Sequence, residues 1–417
     1  MAIKKIRVKN FKSFKDLEIE LGKFNVLIGA NASGKSNFIE IFKFLRDIAN
    51  HGLDNAISMQ GGVEYLRNVN IGSSENLSLE VVLDSRYGIP LKRKERMVME
   101  GYETKYSFTI KFKKIKKRGS GFEVAGERLA EKFEVLKSGK KLGEVEYSIY
   151  RNGKEIGDNL EILSGQLEEE KNSILRFLRF PAFDLGKRLL EPKNLLLEYS
   201  NLLSLAFRTL PRVIKNISIY NFDPKPSKKA TLIAGKAELE EDGSNLAIVI
   251  KKILENKEKR RKFLNLIKEL LPFVDNVDVE RFADRSLLIK LKEKYTEDYL
   301  PAPLISDGTI NITALIIALY FEEKPLIIVE EPERNIHPYL ISKVVGMMKE
   351  ASQKKQIIVT THNPEMVKYA GLENILLVSR NEEGFSVISK PREKEEIKAF
   401  LENELGIEEL YVQNLLA

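Results

Sequence analysis

The chain has 417 residues, of which 68 are Lys or Arg, 61 are Asp or Glu and none is Cys. The lack of cysteine excludes disulfides and thiolate metal sites, and we expect a protein of the reducing cytoplasm. No apolar run approaches the roughly twenty residues that span a bilayer, and the N-terminus lacks a secretory pattern. The length suits one large α/β domain with an insertion, or two domains.

A glycine-rich loop separates a predicted strand from a predicted helix near the N-terminus. The strand is the apolar run Val26–Ile28, the loop is Gly29–Ser36, and helical apolar spacing follows. This order predicts a phosphate-binding loop, in which Lys35 reaches the β- and γ-phosphates and the Ser36 hydroxyl binds Mg²⁺. The alternative is a chance match in a glycine-containing turn. The predicted nucleotide-binding residues are Gly29, Asn31, Ser33, Gly34, Lys35, Ser36 and Asn37.

Residues 77–150 contain alternating segments separated by glycine-containing turns, which predict an antiparallel β lobe. Within it, Lys111–Arg118 is a basic stretch with interleaved apolar residues and a candidate contact for double-stranded DNA. The alternative is a half-solvated edge strand blunted by lysine. Lys251–Lys262 is a second basic run with the same potential to contact a phosphate backbone.

Between residues 160 and 214 the pattern becomes helical and leucine-rich, interrupted by Pro181, Pro192 and Pro211. A helix gains only ~1.5 Å per residue, so this segment is too short and too interrupted for a long coiled coil. We expect a compact helical lobe, with Leu195–Leu197 in its core.

Ser306-Asp307-Gly308 precedes the apolar stretch Ile310–Tyr320, which is long enough for a buried helix. A hydroxyl and a glycine at a helix N-terminus form an anion site, so Ser306 and Gly308 are candidate phosphate contacts. Alone, this pattern would be a routine helix cap.

Two further apolar runs end in polar residues. Leu326–Val329 is followed by Glu330 and Glu331, as expected for a central parallel strand with acids at its carboxyl end. Glu330 would lie near Mg²⁺, and Glu331 would polarise the attacking water. The alternative is a solvated acidic turn.

Gln356–His362 is the second of these runs, and it ends in one of three histidines in the chain. At the carboxyl end of a strand, His362 would hydrogen-bond a γ-phosphate or the attacking water. The alternative is an ordinary surface histidine.

Taken together, these motifs resemble the ATP-binding-cassette (ABC) ATPases, specifically the SMC, RecF and OLD-type branch. The opening Ile3–Phe14 is similar to the first strand of that branch. Glu330–Glu333, with Ile336–Pro338 behind it, resembles the acidic strand end and the adjoining dimer-contact loop of RecF and OLD-type proteins. The resemblance covers about residues 1–80 and 215–390.

The resemblance implies specific roles within one protomer. Lys35 and Ser36 would bind phosphate and Mg²⁺, Glu330 would support the metal, Glu331 would be the general base and His362 the switch histidine. Glu330 stands where many cassette ATPases have aspartate, so its metal contact would be shifted or less direct.

The resemblance also implies a homodimer that sandwiches two ATP molecules, with Ser306 and Gly308 of one protomer binding the γ-phosphate held by the other. Gln60 is the candidate for the lid glutamine that senses Mg²⁺, although it could equally be a polar loop residue. The signature reads Ser-Asp-Gly rather than Ser-Gly-Gly, which argues against a membrane transporter.

We therefore expect an α/β fold with a P-loop core of the ABC type, in which a mostly parallel sheet has flanking helices. An antiparallel β lobe and a compact helical insertion complete it. The predicted domains are residues 1–160 (N-terminal half of the ATPase with P-loop and β lobe), 161–215 (helical insertion), 216–390 (C-terminal half with signature, acidic strand end and switch histidine) and 391–417 (amphipathic C-terminal helix).

The predicted function is a Mg²⁺-dependent ATPase that dimerises on ATP and couples hydrolysis to DNA binding in repair or genome maintenance. Too few residues follow His362 for the nuclease domain that OLD-type proteins append. The alternative is an ATP-gated regulatory subunit that controls a separate effector protein, such as a nuclease in a defence system. A P-loop kinase would need neither Ser306-Asp307-Gly308 nor a remote His362.

Overall fold

The computed structural model describes residues 2–92, 96–115, 119–153, 155–179, 191, 193–202, 207, 209–283, 285–393, 397, 406–413 and 415. The chain forms two compact units, each assembled from separated stretches of sequence. The first unit contains residues 1–22, 31–217 and 379–388, and the second contains residues 23–30, 218–378 and 389–417.

A seven-stranded antiparallel sheet dominates the first unit, with the strand order β2-β1-β4-β5-β6-β7-β8. Tyr106, Phe108 and Ile110 are buried while Lys105 and Lys111 are exposed, which is the alternation of a sheet with one covered face. The strands are β1 (Ala2–Phe11), β2 (Phe14–Glu20), β4 (Leu77–Lys92), β5 (Met97–Ile115), β6 (Gly119–Lys137), β7 (Lys140–Asn152) and β8 (Glu155–Gly165).

The helices of the first unit include α1, which follows the glycine-rich loop. Phe44 of α1 lies between Phe11 and Phe108 of the sheet, with ring centroids 6.0 and 6.5 Å away. This aromatic contact fixes the helix and therefore the loop before it. Besides the sheet, this unit contains α1 (Lys35–His51), α2 (Leu53–Met59), α3 (Val63–Leu66), α4 (Glu168–Leu178), the 3₁₀ helix Leu196–Leu202, α5 (Thr209–Lys215) and strand β17 (Ser386–Ser389).

A largely parallel sheet forms the centre of the second unit, with the order β16-β3-β15-β14-β9. Val26, Ile328 and Ile358 are fully buried, because both faces of these strands are covered. The strands are β3 (Phe24–Ile28), β9 (Ile217–Tyr220), β14 (Leu326–Glu330), β15 (Gln356–Thr360) and β16 (Ile375–Arg380).

The second unit also contains a small antiparallel sheet with the order β10-β12-β11, in which β13 pairs with β12. These strands are β10 (Thr231–Leu232), β11 (Val274–Phe282), β12 (Ser286–Glu293) and β13 (Tyr299–Pro301). The α-helices are α6 (Pro224–Ser227), α7 (Leu246–Leu254), α8 (Lys257–Leu270), α9 (Asp307–Tyr320), α10 (Pro338–Ser352), α11 (Pro364–Ala370) and α12 (Ile407–Val412). Short 3₁₀ helices span Ala302–Leu304, Leu372–Asn374 and Pro391–Glu393.

The predicted α/β fold with an antiparallel β lobe is confirmed. Leu195–Leu197 is buried, as predicted for a core segment. The helical pattern predicted from residue 160 is wrong at its start, because β8 pairs with β7 as far as Gly165 and α4 begins only at Glu168. Pro181, Pro192 and Lys116–Arg118 lie outside the described residues.

The single C-terminal helix predicted within residues 391–417 is also wrong. Pro391–Glu393 is a 3₁₀ helix, and the helix Ile407–Val412 begins after Gly406. Gly406 has φ −67° and ψ 146°, an extended conformation that interrupts any helix passing through it. None of the described helices is long and apolar enough to cross a membrane.

Candidate nucleotide-binding and hydrolysis site

The backbone of the glycine-rich loop has the shape of an anion-binding concavity. Strand β3 ends at Ile28, and α1 begins at Lys35. Between them Gly29, Ala32 and Gly34 have φ values of 149°, 61° and 120°. Alternation of ordinary and left-handed conformations turns successive N–H groups toward one point, where a phosphate can bind. The strand–loop–helix context predicted from sequence is therefore present.

Gly34 admits no side chain. A Cβ atom there would lie 2.2 Å from Ser386 Oγ, and its φ of 120° is itself unfavourable for other residues. Ser386 Oγ donates to the Ser33 carbonyl oxygen at 2.5 Å and lies 2.8 Å from Ser13 Oγ. Asn37 in turn donates to Ser13 Oγ at 2.8 Å. The loop is thus held from outside by two serines.

Arg380 supports the same loop. Its Nε and Nη2 atoms donate to the Ala32 carbonyl oxygen at 3.1 and 3.0 Å. Sequence reasoning assigned no role to Ser13, Arg380 or Ser386. Arg380 and Ser386 come from the far end of the chain, and no motif marks them as partners of the loop.

The side chains of the loop fit a phosphate ligand. Ser33 is buried, and its Oγ has no hydrogen-bond partner in the described part of the chain. A buried hydroxyl without a partner is uncommon and is explained by a ligand that supplies one. Lys35 is buried as the first residue of α1, whereas Asn31 and Ser36 are exposed.

A cavity of about 660 Å³ opens beside this loop and is lined by Ser13 and Asn37. Lys12 and Arg67 add positive charge to its wall, and Tyr65 adds an aromatic ring that is 69% exposed. Its size falls in the range of ligand-binding clefts. This cavity could not be predicted from the sequence, because its walls come from four separate segments.

Gln60 lies in the wall of this cavity, at the C-terminal end of α2. It is 7% exposed, and its Nε2 donates to Glu40 Oε2 at 2.7 Å. Its Oε1 has no hydrogen-bond partner among the residues that the structure describes. Only this oxygen is suited to a metal, so the predicted metal contact of Gln60 rests on one unpaired atom.

A second group of candidate residues, with two carboxylates, lies at the carboxyl edge of the parallel sheet of the second unit. Glu330 ends β14 opposite Thr360 of β15, and the Glu331 N–H donates to the Thr360 carbonyl oxygen at 2.9 Å. Glu331 has the left-handed φ of 45°, which turns the chain sharply after the strand. His362 follows β15, and its Nε2 lies 3.7 Å from Glu331 Oε1. The structure therefore brings together the predicted base and the predicted switch histidine.

Glu333 is a third carboxylate at this edge, and sequence reasoning gave it no role. Its Oε1 accepts a hydrogen bond from Thr361 Oγ1, while its Oε2 has no partner within the described ranges. Burial raises the pKa of the Glu333 carboxyl, and the nearby Glu331 raises it further. Glu333 therefore holds its proton more tightly than an exposed glutamate.

The start of α9 carries the predicted signature residues. Ser306 is its N-cap, and its Oγ accepts from the Thr309 N–H at 3.2 Å and donates to Thr309 Oγ1 at 2.8 Å. A Cβ atom on Gly308 would lie 2.4 Å from the Asn335 carbonyl oxygen. Gly308 thus also has a packing reason to be glycine, since the helix start lies directly against the turn after Glu331.

No group of three or more His, Cys, Asp or Glu side chains among the described residues could hold a metal ion. That result fits the chemistry of Mg²⁺ at phosphoryl-transfer sites, where one or two protein ligands act together with water and substrate phosphates.

Comparisons with known proteins give the family of the chain and its similar relatives. A family model described as "AAA domain, putative AbiEii toxin, Type IV TA system" matches residues 24–368. The chain is 20% identical over 377 residues to an ATP/GTP phosphatase of Helicobacter pylori, which covers 88% of this chain and 86% of that protein.

Among solved structures, the chain is similar to three heads of SMC proteins. One is the SmcHead bound to the C-winged helix domain of ScpA, with 18% identity, a TM-score of 0.46 and coverage of 93% of this chain and 97% of the other. The SMC head domain from Thermotoga maritima has 15% identity, a TM-score of 0.43 and coverage of 94% and 99%. An Smc head domain with an extended coiled coil, bound to the C-terminal domain of ScpA derived from Pyrococcus furiosus, has 17% identity, a TM-score of 0.45 and coverage of 97% and 99%.

The family model spans well over half of the chain and includes both the phosphate-binding loop and the acidic strand end. The chain belongs to the family described as "AAA domain, putative AbiEii toxin, Type IV TA system", and it is a P-loop ATPase.

Proposed function

We propose that two copies of this chain close around two ATP molecules, and that hydrolysis of the ATP reopens them. The start of α9 carries this proposal. Ser306 is exposed, and the helix dipole gives this end a partial positive charge that suits a phosphate. Leu304 lies two residues before Ser306 and is 69% exposed. Tyr339 lies at the start of α10 and is 61% exposed. Such apolar side chains beside an anion site suit a protein partner that brings a nucleotide with it.

Within one protomer, Lys35 and the loop N–H groups would bind the phosphates. Mg²⁺ would supply charge neutralisation when bound, and the Ser36 hydroxyl is its proposed ligand in the loop. Glu331 would accept the proton of the attacking water, and His362 would orient that water or the γ-phosphate. The 3.7 Å between the two side chains supports this division of roles.

The nucleoside part of ATP would occupy the cavity beside the loop. Tyr65 offers a ring on which a base can stack, and Lys12 and Arg67 offer cations for ribose and phosphate oxygens. This placement puts the nucleoside next to Ser13 and Asn37 of the first unit.

We further propose that the ATP cycle is coupled to double-stranded DNA in repair or genome maintenance. The predicted contact at Lys111–Arg118 receives limited support, since Lys113 forms an ion pair with Glu123 on the neighbouring strand. The first turns of α8 fit better. Lys257, Lys259 and Arg260 are exposed there, and none forms an ion pair within the described part of the chain.

Positive charge at a helix N-terminus opposes the helix dipole, so nothing local favours these cations. A phosphate backbone would compensate them. The second candidate function is control of a separate effector protein, and the words "putative AbiEii toxin" in the family description favour it.

Two variants of Ser306 test the ATP-dependent dimer. Ser306→Asp retains a good helix cap but places a negative charge where the γ-phosphate of the partner would bind. We expect it to fold and bind ATP as a monomer without ATP-dependent association in analytical ultracentrifugation. Ser306→Asn retains the cap without the charge and serves as the control. Equal association of Ser306→Asp and Ser306→Asn would refute the dimer.

A further inference from the structure

Arg334 forms a bridge between Glu331 and a neighbouring element. Its Nη2 lies 2.7 Å from Glu331 Oε2, and its Nη1 donates to Asn221 Oδ1 at 3.1 Å. Asn221 follows β9, the strand next to β14 in the sheet, and its own N–H donates to the Glu241 carbonyl oxygen at 2.9 Å. The guanidinium is therefore attached to a fixed point outside the turn that carries it.

This bridge engages the side chain that would act as the base. One oxygen of the Glu331 carboxylate is paired with the guanidinium, and the other faces His362. The backbone of Glu331 is fixed as well, because its N–H binds Thr360 and its carbonyl oxygen accepts from the Arg334 N–H at 3.0 Å. A carboxylate held in this way has less freedom to accept a proton from water.

The same turn is attached to the helix that carries the signature residues. Asn311 of α9 donates to the Arg334 carbonyl oxygen at 2.9 Å. Gly308 lies so close to the Asn335 carbonyl oxygen that no side chain fits between them. A movement of the α9 start therefore displaces the backbone of Arg334.

From these contacts we infer that Arg334 is a positioning residue that restrains Glu331 until the start of α9 engages a partner. Engagement of Ser306 and Gly308 moves the turn, breaks the contact of Arg334 with Glu331 and frees the carboxylate. The inference rests on the proposed roles of Glu331 and of the dimer. It adds the residue that makes hydrolysis conditional on association.

The test measures ATP turnover per protomer below and above the concentration at which ATP-bound protein associates. In Arg334→Ala we expect turnover below that concentration to rise about fivefold, the change that a surface ion pair of ~1 kcal/mol produces. Turnover above it should stay within about twofold of wild type. Asn221→Ala removes only the hydrogen bond between Arg334 and Asn221, so it should give a smaller rise in turnover below that concentration. Arg334→Lys keeps a positive charge and should restore part of the restraint on Glu331.

Arg281→Ala removes another exposed arginine of the same unit and should leave both rates unchanged. The inference is overturned if Arg334→Ala leaves the low-concentration rate unchanged or lowers turnover at every concentration. The double variant Arg334→Ala, Glu331→Gln separates this failure from failure of the proposed function. If Glu331 is the base, the double variant is inactive. If the double variant keeps the raised rate, Glu331 is not the base and the proposed chemistry fails.

Discussion

Glu331 Oε1 lies 3.7 Å from Nε2 of His362, and the two residues follow adjacent parallel strands. The side chains are 36% and 37% exposed, so a water molecule or a phosphate can reach both. Strand pairing alone produces this proximity, because parallel neighbours end at the same edge of the sheet. The chemistry proposed for this edge leads to the first prediction.

Replacement of Glu331 by Gln should remove catalysis and retain nucleotide binding. The amide cannot accept the proton of the attacking water, and general base catalysis contributes roughly 10²–10⁴-fold to rate. We expect ATP to bind with nearly wild-type affinity and the bound form to accumulate as a dimer.

Single-turnover hydrolysis and equilibrium binding of a fluorescent ATP analogue measure the two properties separately. Glu297→Gln, which changes an exposed acid between β12 and β13, is the control. A Glu331→Gln protein that hydrolyses ATP at the wild-type rate would show that another group is the base.

Two glycine-to-alanine changes should have opposite effects. In Gly34→Ala the new Cβ would meet Ser386 Oγ at 2.2 Å, and φ of 120° adds strain of ~1–3 kcal/mol. We expect a lower melting temperature and loss of ATP binding. In Gly346→Ala, inside α10, a Cβ would meet nothing within 4 Å, and alanine should stabilise the helix by ~0.5–1 kcal/mol.

Differential scanning calorimetry with and without ATP checks both changes. If Gly34→Ala binds ATP normally, the phosphate-binding loop does not require its observed backbone conformation.

Tyr65 should control the affinity for the nucleotide rather than the chemical step. Base–aromatic stacking contributes ~1–3 kcal/mol, so Tyr65→Ala should raise KM for ATP about tenfold and leave kcat nearly unchanged. Tyr65→Phe retains the ring and should resemble wild type. Tyr295→Ala, which removes an even more exposed ring from the second unit, should have no effect. An unchanged KM in Tyr65→Ala would place the base outside the cavity.

Two buried glutamates of β6 should make the stability of the first unit depend on pH. Burial raises the pKa of Glu127 to about 7 and that of Glu131 to about 8, from an ordinary value of 4.5. In the unfolded chain these carboxyls lose their protons near pH 4.5, the ordinary pKa. At pH values between about 4.5 and about 8, the folded chain therefore binds more protons than the unfolded chain. The free energy of unfolding should therefore fall as pH rises from about 4.5 to about 8, and then become level with respect to these two groups.

Glu131→Gln should reduce that fall, because the amide does not ionise. Its oxygen can accept from Ser85, and its NH₂ group can donate to Thr104 Oγ1, which can in turn donate to Ser85 Oγ. Thermal unfolding between pH 5 and pH 9 measures the effect against Glu100→Gln, an exposed change on β5. Identical pH profiles for wild type and Glu131→Gln would contradict a buried, proton-binding Glu131.

The sequence predicted those parts of the site whose chemistry is local. The loop from Gly29 to Ser36 and the acids after Leu326–Val329 each occupy a short segment with its own periodicity and turn residues. The supports of the loop could not be predicted, because Ser386 and Ser13 are 373 residues apart in sequence. Their contact depends on tertiary packing alone.

Tertiary contacts also decide where secondary-structure elements end and what Arg334 does. Strand β8 continues to Gly165 because β7 pairs with it, although its residues also fit a helical pattern. The role of Arg334 could not be predicted, because an arginine in an acidic turn resembles an ordinary surface residue in the sequence. Only the structure shows its hydrogen bond to Asn221.

The most direct test of the composite site is the ATP turnover per protomer as a function of protein concentration. The range should extend to both sides of the concentration at which ATP-bound Glu331→Gln associates. We predict that turnover per protomer rises through this range and reaches a plateau above it, because each site needs Ser306 and Gly308 from a second copy. A turnover per protomer that stays constant across the range would show that one protomer holds a complete site.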